Sequence, residues 1–99
     1  MWYAILGNDK ADSLTLRLEA RPEHLKRINT LRAQGRLLLA GPFPAADCEN
    51  PGDQGYTGSL IVADFDSLKD AESWIAADPY VLSGVFASYL VKPFRKVAP

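Results

Sequence analysis

Gly58-Ser59-Leu60-Ile61-Val62-Ala63-Asp64-Phe65 is the stretch from which the rest of the architecture can be read. It is short, rich in aliphatic side chains and preceded by turn-forming residues, which marks a strand running from about Gly58 to Phe65. Successive side chains of a strand point to opposite faces, so Leu60 and Val62 face one way and Ile61, Ala63 and Phe65 the other. Both faces are apolar. A half-wet antiparallel sheet alternates apolar with polar residues instead. This strand therefore belongs in a sheet covered on both sides. Residues 2 to 7 repeat the pattern, with Ala4 and Leu6 opposed to Tyr3 and Ile5, before Gly7-Asn8-Asp9 opens a loop. Residues 85 to 91 repeat it again, with Phe86 and Leu90 set against Tyr89 and Val91.

Between these strands the pattern changes period. After a loop over roughly residues 8 to 20, Pro22 suits the first turn of a helix. Leu25, Ile28 and Leu31 then form one apolar stripe that Gly35 stops. Arg36-Leu37-Leu38-Leu39-Ala40-Gly41 is too short for another helix and reads as a second strand, followed by a long exposed loop from 44 to 57. Ser67 caps a second helix, with Asp70 placed as its capping-box partner and Leu68, Ala71, Trp74 and Ile75 as its buried stripe. Asp78-Pro79 ends that helix, because the residue before a proline is driven out of the α region. A turn through Ser83-Gly84 leads to the last strand, which Lys92-Pro93-Phe94 continues at a sheet edge. The order is βαββαβ: an α+β, ferredoxin-like protomer with a four-stranded antiparallel sheet. Two helices cover only one face of such a sheet. The economical cover for the other face is a second copy, so a homodimer packed through the sheet face is expected.

Composition sets the outer bounds. The 99 residues are enough for one domain, 1–99, and too few for two cores. Eleven basic residues against 12 acidic ones create no positive field for phosphate backbones, and no nucleic acid partner is expected. The lone Cys48 fits a reducing compartment, the N-terminal residues lack the pattern of a signal peptide, and no apolar run is long enough for a bilayer. The expectation is a soluble, cytoplasmic protein with no membrane partner.

His24 is the only histidine, the side chain best poised for proton transfer near neutral pH. On spacing alone it stands at the edge of the apolar stripe near the start of helix one, where a satisfied structural histidine is the commoner outcome. Asp78 can orient an imidazole if the helix ends converge, or can simply cap the turn at Pro79. Tyr80 is either a hydroxyl donor in the same pocket or core, and Arg21 either binds an anionic substrate or pairs at the surface. Gly41 and Ser59 sit in glycine-containing pairs that bring backbone amides or a hydroxyl close to a ligand, although turn chemistry explains the glycines equally well. There is no GxGxxG, P-loop or GxSxG motif, and one histidine with one cysteine makes no zinc site. No metal and no cofactor are expected.

Arg21-Pro22-Glu23-His24-Leu25, Gly35-Arg36-Leu37-Leu38 with Ala40-Gly41-Pro42, Thr57-Gly58-Ser59, Asp78-Pro79-Tyr80 with Gly84-Val85, and Val91-Lys92-Pro93-Phe94 together resemble the bacterial YciI-like, or YCII-related, family. The resemblance runs in order along nearly the whole chain and implies a dimeric α+β barrel of ferredoxin-like protomers. It also implies a site built around a histidine and an aspartate, which fall on His24 and Asp78. Similar proteins of aromatic degradation, a muconolactone isomerase and a chlorinated hydroquinone dehydrochlorinase, imply proton transfer on small oxygenated compounds. The expected function is a metal-free isomerase, lyase or dehalogenase acting on a small organic acid or phenolic compound. In that reading His24 moves the proton, Asp78 orients it, and Ser59 or loop amides hold a substrate oxygen. The alternative is a non-catalytic metabolite-binding or accessory domain using the same pocket.

Overall fold

A computed structural model describes all residues, Met1–Pro99. Its strands are β1 (Trp2–Asp9), β2 (Leu37–Pro44), β3 (Tyr56–Asp64) and β4 (Phe86–Phe94). The helices are α1 (Leu14–Ala33), α2 (Leu68–Ala76) and the single turn α3 (Pro79–Leu82), with a 3-10 turn at Gly52–Gln54. The strands form one antiparallel sheet in the order β2-β3-β1-β4, which is the ferredoxin-like arrangement. Proline placement follows from that order. Pro42, Pro44 and Pro93 lie only in the two outer strands, where a missing N–H leaves no ladder bond unmade. This is why β2 runs on through Gly41-Pro42-Phe43-Pro44 instead of stopping at Gly41.

The helices pack on the face that carries Tyr3, Ile5, Ile61, Ala63 and Phe65, and these residues with Ile28, Leu31, Ala71 and Ile75 make the core. Leu68 lies outside that core and is exposed, while Ser67 caps α2 by accepting a bond from the Asp70 N–H at 3.1 Å. The opposite face carries Leu6, Leu60, Leu39, Phe43 and Leu90 in register, and the last three are 46%, 40% and 49% exposed. Both faces are apolar, as expected, and one is bare. Phe86 departs from the simple alternation. One step along β1, from Asn8 to Asp9, spans two along β4, from Ser88 to Phe86. This bulge turns Phe86 into the core, away from the face of Leu90.

The largest difference from the sequence reading is in α1. It starts at Leu14, not after residue 20, and Pro22 lies inside it. Its buried residues are Arg17, Ala20, His24, Ile28 and Leu31, spaced three and four apart. Two of these five are polar, while the apolar Leu18 in the same stretch is exposed. The hydrophobic signal of the first turns is therefore inverted. His24 consequently sits in mid-helix, within the buried stripe, and not at a helix start.

Candidate functional site

Asp78 is the N-cap of α3, its extended backbone and the following proline setting up this short turn. The Tyr80 N–H donates to Asp78 Oδ2 at 3.0 Å. The same oxygen lies 2.8 Å from His24 Nδ1, bringing α1 and α3 together across 54 residues of chain. Asp78 is fully buried and its other oxygen, Oδ1, accepts a 2.9 Å bond from Arg27 Nη1. A carboxylate at Nδ1 fixes the imidazole with its proton on that nitrogen. Nε2 has no partner among the protein groups. Since no buried side-chain nitrogen or oxygen is unsatisfied, that nitrogen is reached by solvent. Tyr80 lies parallel to the imidazole, with centroids 3.9 Å apart and planes 9° from coincidence, which restrains the ring from its flat side.

His24 opens into a cavity of about 470 Å³ between α1 and the β2–β3 side of the sheet. Ser59, Gly41, Tyr80 and Arg21 also line it; Asp78 does not, and stands behind His24. Arg21 is exposed at the rim and takes part in none of the ion pairs. No carboxylate lines the cavity, whose lining includes the guanidiniums of Arg17, paired with Asp9, and of Arg21. Burial pushes the Tyr80 phenol above its ordinary value, against the opposing pull of Arg17 and Arg21. At neutral pH it is an uncharged hydroxyl.

The YCII-related domain family matches residues 1–95. This chain belongs to the YCII-related family. It is 54% identical over 97 residues to Protein YciI of Escherichia coli O6:H1, covering 98% of this chain and 99% of that one. An uncharacterized protein of Haemophilus influenzae is 50% identical to this chain over the same length. Among solved structures, the 5-chloro-2-hydroxyhydroquinone dehydrochlorinase TftG of Burkholderia phenoliruptrix AC1100, in complex with 2,5-dihydroxybenzoquinone, superposes with a TM-score of 0.84. It is 26% identical, with 96% of this chain and 94% of that chain covered.

Beside the cavity of this YCII-family chain lies a buried network that sequence reading missed. Arg17 donates through Nε to Asp9 Oδ2 at 2.6 Å and through Nη2 to Asp9 Oδ1 at 3.0 Å. Nη2 also reaches the Gly58 carbonyl at 2.9 Å and Ser59 Oγ at 2.7 Å. Ser13 Oγ donates to the same carboxylate at 2.6 Å. Arg17 thus ties the end of β1 to α1 and to the cavity wall on β3, and its guanidinium carbon lies 4.9 Å from the Tyr80 ring centre. Ser59 is therefore held by Arg17 through one lone pair of its hydroxyl oxygen, which leaves its own proton and the second lone pair to offer a ligand. The Gly58 of the Gly58-Ser59 pair has a packing reason: a Cβ there would collide with the Gly7 carbonyl oxygen. A signal existed in the sequence. Arg17 precedes His24 by seven residues, two helical turns, and so shares its face.

Proposed function

We propose that this YCII-family chain is an enzyme in which His24 transfers a proton on a small organic acid or phenolic compound, by isomerase, lyase or dehalogenase chemistry. The observation that carries the reading is the 2.8 Å His24–Asp78 contact, with the opposite imidazole nitrogen reached by solvent on a side chain that lines the cavity. A neutral imidazole held this way takes a proton at Nε2, and the Asp78 carboxylate stabilises the imidazolium that forms. Negative charge left on the substrate oxygen meets the Arg21 guanidinium and the Tyr80 hydroxyl, while Ser59 and the Gly41 backbone bound the site. In isomerisation the imidazolium returns the proton to another carbon. In elimination the C–H electron pair forms the new double bond, the leaving group departs with its own electrons, and the imidazolium releases its proton to water. Similarity to a protein named as a dehydrochlorinase supports the second route.

In the same reading the bare apolar face of the sheet is the interface of a homodimer, two sheets packed face to face, which fits Leu39, Phe43 and Leu90 standing exposed together. The test of function is incubation with a panel of small organic acids, phenols and chlorinated hydroxyhydroquinones in deuterated water, followed by proton NMR. Turnover or solvent exchange is expected, with a loss of about 10²-fold or more in His24→Gln. Saturable binding of a panel compound with neither turnover nor exchange would give the site to a metabolite-binding role.

A further inference from the structure

Asp78 has two oxygens and is held from opposite sides, and the side away from the cavity has no evident role in binding a substrate. There Arg27, one helical turn after His24 on α1, donates through Nη1 to Asp78 Oδ1 at 2.9 Å and through Nη2 to the Trp74 carbonyl at 2.9 Å. The guanidinium also lies over the Trp74 ring, 4.4 Å from its centre. Three contacts therefore fix it, although its side chain is 27% exposed while Asp78 is wholly buried. Arg27 does not line the cavity that His24 opens into.

We propose that Arg27 is a positioning residue that balances the buried Asp78 charge, so that His24 meets its substrate unprotonated. The proposal rests on the reading of His24 as a base. A fully buried carboxylate whose only other charge partner is an imidazole draws a proton onto that imidazole, because an unpaired charge is costly away from water. An imidazolium cannot accept a proton. With Arg27 already paired to Oδ1, Asp78 still orients the ring through Oδ2 without having to hold it charged. The other groups facing His24 do not replace this function. Arg21 and Arg17 approach from earlier turns of α1, where Arg17 is committed to Asp9. Tyr80 on α3 is an uncharged phenol at neutral pH, and β3 contributes the Ser59 hydroxyl.

With a single histidine in the chain, its ring signals need no assignment by mutation. The experiment is an NMR pH titration of the His24 ring in the intact protein and in Arg27→Met, Arg27→Gln and Arg27→Lys. Arg27→Gln keeps a donor for Oδ1 without the charge, and Arg27→Lys keeps the charge without the planar fork. The expected result is a protonation midpoint raised by about one unit or more, a tenfold or greater gain in proton affinity, in both uncharged variants. Arg27→Lys is expected to stay within about half a unit of the parent. The acid limb of the pH–rate profile of any converted compound moves with the midpoint. An unchanged or lowered midpoint in a folded Arg27→Gln protein overturns the proposal and leaves the enzyme reading standing. Should the midpoint rise while His24→Gln still turns over substrate, the base reading fails and the charge-balancing role of Arg27 remains.

Discussion

Asp78 carries out two tasks that spacing alone presents as alternatives. Its carboxylate caps α3 and holds His24 through one oxygen, and Arg27 occupies the other. Hydrogen bonds to charged groups contribute roughly 1.5–3 kcal/mol each, so Asp78 stabilises the packing of α1 on α3, and in the proposed reading it also orients the base. Tyr80 gives a residue-scale prediction. Its folded-state value is raised by burial, so the folded protein holds this phenol proton at a pH where the unfolded chain releases it. The associated stability is fully present below about pH 10 and is lost as pH rises from the ordinary tyrosine range through the folded-state value. Urea midpoints measured between about pH 9 and 11 should fall more steeply for the parent than for Tyr80→Phe, and equal slopes would contradict the assignment.

At the scale of elements, α1 is built around its polar residues. Arg17 anchors its start to β1 and β3, His24 meets α3, and Arg27 reaches the end of α2. Breaking the buried Arg17–Asp9 pair from one side is the sort of change that costs about 3–5 kcal/mol. The glycines of the two cavity-lining strands differ in a way that a pair of variants can read. Gly58 in β3 approaches the Gly7 carbonyl of β1, whereas a Cβ at Gly41 in β2 meets nothing within 4 Å. Gly58→Ala is expected to lower unfolding stability by about 1–3 kcal/mol, and Gly41→Ala to stay within about 0.5 kcal/mol. Chemical denaturation of the two proteins measures this; equal effects would mean that close approach of the strands is not the reason for Gly58.

For the whole molecule, the constraint is a sheet with one covered and one bare apolar face. A chain of 99 residues buries a modest share of its surface, which makes added cover valuable. If the proposed homodimer forms there, light scattering should return twice the chain mass for the parent, and Leu90→Glu, which sets a charge on that face, should return one chain mass. The melting temperature of the parent should rise with protein concentration, and that of the variant should not. A monomeric parent would remove the dimer from the reading. No helix is long and apolar enough to cross a membrane.

Alternation and turn residues were enough to place four strands, their order along the chain and the two-faced apolar sheet, because strand periodicity is local and β1 and β3 carry it cleanly. Asp78-Pro79 marked the break before α3 for the same reason: proline restricts the backbone of the residue before it. His24 and Asp78 stood out by type and by family resemblance. Their contact depends on how α1 and α3 pack across 54 residues of chain. The start of α1 was hidden because its buried positions hold Arg17 and His24, whose partners Asp9 and Asp78 come from elsewhere in the fold. A polar residue reads as surface until a distant partner satisfies it. The bulge that turns Phe86 inward likewise arises from pairing with β1 and is not legible along β4 alone. Local chemistry prescribes which elements form; long-range pairing of buried charges assembles the site.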